Sequence, residues 1–87
     1  MLRIRRVVAS GTARLIVSGR IAAEELPHLR DLVRAEHASD LVLDLTEVSL
    51  VDVEAVRFLV QCDAQGIRLE ECPAYIREWM TREGGPR

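Results

Sequence analysis

The spacing of apolar and polar positions changes several times along the chain, and each change marks an element. Leu2-Arg3-Ile4-Arg5 alternates apolar with polar before Val7-Val8, the two-residue period of a strand with one wet face. Ala9-Ser10-Gly11-Thr12 carries turn chemistry, with Gly11 able to take a positive φ. The alternation resumes from Ala13 to Ser18, with Ala13, Leu15 and Val17 on one face, so the pair predicts an antiparallel hairpin. After Gly19-Arg20 the period lengthens. Leu26, Leu29, Leu32, Val33 and Glu36 follow helical spacing, while Arg30, Asp31 and Arg34 fall on the wet side. Pro27 belongs in that helix's first turn, which places its start near Glu24 or Glu25.

Asp40 to Asp44 encloses the run Leu41-Val42-Leu43, which predicts a central parallel strand covered on both faces. A short connection with a second apolar patch (Val48, Leu50, Val51) leads to Asp52, a good N-cap for the next helix. That helix sets Val56, Leu59, Val60 and Asp63 on one side and Phe58 and Cys62 beside them, and Gln65-Gly66 closes it. Ile67 to Glu70 reads as a fourth strand. Cys72-Pro73 opens a last helix, whose stripe of Ile76, Trp79 and Met80, with Tyr75 a turn earlier, reads as core packing. Residues 82–87 are expected to form a loose tail. The predicted order is β-β-α-β-α-β-α. The fold class is therefore α/β: an N-terminal β-hairpin followed by βαβαβα, with a mostly parallel four-stranded sheet in a single domain of residues 1–87.

Composition narrows the class. Eighty-seven residues make one domain near the lower size limit for an unstapled core. A hydrophobic fraction of 48% with 30% charged residues describes a globular chain. The net charge is −2 and the twelve basic residues, all arginine, form no block, so no nucleic-acid partner is expected. Arg3, Arg5 and Arg14 could form a basic face on the hairpin, with a solvated or edge-protecting face as the simpler reading. No stretch approaches the ~18 apolar residues of a membrane span, and Arg3, Arg5 and Arg6 interrupt any apolar leader. Cys62 and Cys72 are not spaced as a redox or zinc pair and read as reduced thiols, so a cytoplasmic location is expected.

Chemistry has little to work with. Asp44 and Asp52 could pair as carboxylates at the strand-to-helix edge, but each already has a structural reading. Cys62 sits inside a helix, and Cys72 follows a strand as a cap. The loops after Asp44 and Glu70 lack the glycines of a phosphate cradle. His28 and His37 have no ligating company. The expectation is no catalytic residue, no metal and no cofactor.

Asp44-Leu45-Thr46-Glu47-Val48-Ser49-Leu50-Val51-Asp52 resembles the central signature of STAS domains, the anti-sigma-factor antagonist family. In that family an aliphatic strand ends in Asp-Leu-Ser/Thr, and an apolar-Asp pair precedes the next helix. Val17-Ser18-Gly19-Arg20-Ile21 and Gly66-Ile67-Arg68-Leu69 are similar to flanking segments of the family, so the likeness covers roughly Leu15 to Met80. The resemblance implies a non-catalytic protein-binding module whose partner is an anti-sigma factor or switch kinase. It places the partner-binding residues at Glu47, Ser49, Asp52, Val53, Glu54 and Arg57.

The departures are informative. The family's phosphorylated serine falls at Val53, which has no hydroxyl, so phosphorylation there is excluded. Glu54 leaves one fixed negative charge near that place, read either as a partial mimic of phosphate or as a helix-start acid. Family members often continue with a further strand and helix, so an edge here would be covered by a homodimer or permanent partner, through the Ile76–Met80 helix or the Arg3–Arg5 edge. Two other readings stay open. One is a small STAS subunit of a larger complex such as a lipid ABC transporter, and the other is a small-ligand site at the Asp44/Asp52 sheet edge.

Overall fold

Strands β1 (Leu2–Ala9) and β2 (Thr12–Ile21) form the expected antiparallel hairpin in the computed structural model, which describes residues 2–36 and 40–84. Ser10 and Gly11 make the turn with φ of 53° and 78°, the two positive values of a type I′ hairpin. A 3₁₀ turn (Ala23–Glu25) leads into helix α1 (Leu26–Ala35), with Pro27 in its first turn. Strand β3 (Asp40–Val51), helix α2 (Val53–Ala64), strand β4 (Arg68–Glu70) and helix α3 (Ala74–Gly84) complete the chain. The strands lie in the order β1-β2-β3-β4, antiparallel between β1 and β2 and parallel between the other pairs. The architecture is α/β, a mixed four-stranded sheet with three helices.

Three differences from the pattern reading have physical causes. The connection expected between Asp44 and Asp52 is instead the second half of β3. Ile16 and Ser18 pair with Asp44 and Glu47, and Gly19 and Arg20 pair with Val48 and Leu50, so β3 carries an extra residue at two places. Each bulge resets the side-chain alternation. Leu45 and Val48 are therefore both buried although they lie three residues apart, and the stretch lost its strand period. The second difference is at the C-terminus. Arg82, Glu83 and Gly84 belong to α3 rather than to a loose tail, because the helix hydrogen-bond ladder tolerates one terminal glycine. Gly85 to Arg87 lie outside the described residues, as does His37.

The third difference concerns cover. The sheet follows chain order, so both parallel crossovers advance the same way and right-handed connections put their helices on one face. A single core joins Leu15, Val17, Leu43 and Leu45 of the strands to Leu26 and Leu29 of α1, Phe58 and Leu59 of α2, and Ile76 of α3. Each fully buried leucine stabilises the fold by about 1.5–3 kcal/mol relative to exposure. Among the described residues the opposite face has no helix, so β3 is not covered by helices on both sides as its apolar run predicted. Val42 is nevertheless fully buried outside that core. Its cross-strand neighbours are Arg14 and Arg68, whose apolar stems span the surface while their heads pair with Asp40, Asp44 and Glu70.

Candidate functional site

The six residues singled out in the sequence divide into two groups. Asp52 anchors the first. Its backbone N–H donates to the Ile21 carbonyl at 3.3 Å, closing the gap between the ends of β2 and β3. One carboxylate oxygen accepts from Ala55 N at 2.9 Å and caps α2. The other accepts from Ala23 N at 2.7 Å, in the 3₁₀ turn that feeds α1. A single side chain thus holds the starts of both helix segments at the carboxyl ends of two adjacent parallel strands. Glu25 reaches back to Ala22 N at 3.1 Å and stiffens the same corner.

Val53 follows as the first residue of α2, half-buried, with Glu54 exposed beside it. Glu54 pairs with Arg57 at 3.3 Å, and Arg57 pairs in turn with Glu83 at 3.1 Å, so this exposed arginine ties α2 to the last turn of α3. Both pairs are solvated and contribute little to stability. Ser49 takes part through its backbone: its carbonyl accepts from the Tyr75 hydroxyl at 2.7 Å. Beyond Asp44, β3 has no neighbour in β4, and Tyr75 satisfies this carbonyl on that unpaired stretch.

Two contributors were not legible in the sequence. Leu50, grouped with a buried patch by its pattern, is 57% exposed, and Tyr75, read as core, is 48% exposed. Leu50 borders a shallow depression with Arg20, Glu24, Val51 and Asp52. The second bulge turns Leu50 outward, which composition cannot reveal. For Tyr75 the one available signal was its hydroxyl, which needs a partner that a wholly apolar stripe would not provide.

Glu47 does not join this group. It pairs in register with Ser18 and lies on the helix-free face, bordering a depression shared with Arg3 and Arg5. Asp44 is also apart from Asp52. It lies mid-strand between Ile16 and Glu70, eight residues before Asp52 and on the order of 20 Å away by strand rise. One Asp44 oxygen accepts from the Thr46 hydroxyl at 2.6 Å and from Thr46 N at 3.0 Å, while the other accepts from Arg14 at 3.2 Å. The Thr46 hydroxyl, then its N–H, and more weakly Arg14 hold this carboxyl below its ordinary range. The Asp-Leu-Thr sequence is thereby explained locally: Asp44 fixes the bulge. The two acids do not converge on a ligand.

The thiols are free rather than bridged. Burial pushes Cys62 up to about 12 and raises Cys72 as well, so both are protonated, weakly nucleophilic thiols near neutrality. Among the described residues no cluster of three or more His, Cys, Asp or Glu side chains could hold a metal ion. No described helix is long and apolar enough to cross a membrane. What the Asp52 corner offers is a fixed ledge bordered by exposed Leu50 and by charge, with exposed Tyr75 held nearby at Ser49. No protein-family model and no curated protein matches the sequence.

Proposed function

We propose that the chain is a non-catalytic protein-docking domain of the STAS type, acting in the cytoplasm on a kinase-type anti-sigma factor. The observation that carries this reading is the ledge at the start of α2. Leu50 stands exposed in a depression beside a helix start whose position Asp52 fixes from both sides. Tyr75 stands exposed where its hydroxyl meets Ser49, the residue before Leu50. Exposed apolar anchors on a rigid element, ringed by charge, are what a protein partner uses for affinity and register. The Asp-Leu-Thr bulge and the β-β-α-β-α-β-α order support the family assignment. So does the place of Val53, first in α2 where the family's serine would stand. With no hydroxyl there, binding is not switched by phosphate, and Glu54 supplies one constant charge at the helix start.

The test is affinity capture with the tagged chain from native lysate, with mass-spectrometric identification and three variants. The wild type should recover a kinase-type anti-sigma factor. Leu50→Ala should weaken capture by about 30-fold, the effect of losing a contact worth ~2 kcal/mol. Glu54→Arg should weaken it far more than it lowers stability, since Glu54 makes one solvated pair and a small favourable interaction with the helix start. Val53→Ser should restore sensitivity to the kinase. Unchanged capture by Leu50→Ala and Glu54→Arg, or binding lost only in step with stability, would overturn the proposal.

A further inference from the structure

We infer that the free edge of β1 is a second docking site, which takes an extended acidic segment of a protein partner as an added strand. β1 is an edge strand of eight residues, and it carries no proline and no bulge. Its outer backbone groups therefore form an uninterrupted template for strand addition. Val7 and Val8, at 43% and 50% exposure, are two of the few large apolar side chains left in water.

Charge selects the strand that can add. Of the hairpin's arginines, Arg6 is committed to Glu36 at 2.7 and 3.0 Å, and Arg14 to Asp44 and Glu70 at 3.2 and 2.8 Å. Arg3 and Arg5 have no ion-pair partner among the described residues. They oppose Ser18 and Ile16, so both point to the helix-free face, where Glu47 lies across the same depression. Two residues apart on a strand, they stand about 7 Å from each other, the spacing of carboxylates at alternate positions of a neighbouring strand. A second copy of this chain fits poorly wherever its pairing centres on these arginines. Antiparallel pairing about a two-fold axis at Ile4 or Arg5 sets Arg3 against Arg5, or Arg5 against itself, on the same face. Directly opposed like charges are destabilising, whereas an acidic strand makes each position a favourable cross-strand pair. The arginines that disfavour self-pairing at this part of the edge thus specify the partner. This site is separated from the α2 start by β2, and its test is independent of the STAS reading.

The experiment titrates the isotopically labelled full chain with a blocked peptide of about ten residues alternating Glu with Val and Thr, against the same peptide with Lys for Glu. Saturable amide shifts and new exchange protection confined to β1 are expected with the Glu peptide only. The double variant Arg3→Glu/Arg5→Glu should lose about tenfold in affinity for the Glu peptide and gain binding to the Lys peptide. Arg3→Lys/Arg5→Lys should keep the wild-type preference, which guards against a simple folding defect. Equal binding of both peptides would overturn the inference, as would shifts outside β1 or peptide-displaceable self-association of the wild type in sedimentation.

Discussion

Asp52 is the residue on which the candidate site depends most, and its two hydrogen bonds can be separated by substitution. Asp52→Ala removes the α2 cap and the bond to Ala23 N together. Loss of a cap costs about 1 kcal/mol. A hydrogen bond to a charged acceptor contributes about 1.5–3 kcal/mol, with the lower end appropriate to this exposed contact. The sum is about 2–3 kcal/mol. Asp52→Asn is the more diagnostic change. Its amide oxygen still accepts from Ala55 N, but its amide nitrogen presents hydrogens to the Ala23 N–H and cannot accept. The asparagine variant should therefore lose only the bridge, about 1–1.5 kcal/mol. At 4–8 °C per kcal/mol for a chain of this size, that is a fall of roughly 5–10 °C in Tm. Urea titration of the three proteins, with calorimetric melts, measures both steps. If Asp52→Asn matches the wild type while Asp52→Ala loses only the cap, the bridge between the helix starts contributes nothing and Asp52 does not hold the ledge rigid.

Three further outcomes follow from other contacts. Asp44 is held below its ordinary range by Thr46 and Arg14, so its contribution is fully present above the ordinary carboxylate value and is lost as pH falls through the lower folded value. The urea midpoint of Asp44→Asn should consequently fall less than that of the wild type between about pH 5 and pH 2. Parallel acid limbs would contradict it. A thiol reagent at neutral pH should label half-buried Cys72 slowly and Cys62 only on unfolding, because Cys62 is 2% exposed with its thiol raised to about 12; mass mapping that finds Cys62 labelled first would refute the packing described. Ser10→Asn should stabilise the hairpin by about 0.5 kcal/mol, since asparagine takes the positive φ of 53° more readily than serine. A melt that shows destabilisation would mean the Ser10 hydroxyl has a role that its backbone angle does not reveal.

The sequence by itself determined the α/β class, the N-terminal hairpin and the presence of three helices, because each rests on local chemistry. The Ser10-Gly11 turn, Pro27 in a first helical turn, Asp52 as a cap and Gly66 at a helix end are choices made within a few residues. It determined the silence of position 53 too, since valine has no hydroxyl in any fold. The tertiary structure decided the rest. Two bulges in β3 turned an expected connection into strand and brought Leu50 into water, an outcome that depends on register against β2. Packing of all three helices on one side left Val42 to be covered by arginine stems, a cover supplied from neighbouring strands. Glu47 and Asp52, five residues apart in the chain, ended on different surfaces, and Tyr75 reached the carbonyl of Ser49 from a helix formed 26 residues later. Local pattern records what each segment prefers. Which side chains meet is fixed only when distant strands choose their register.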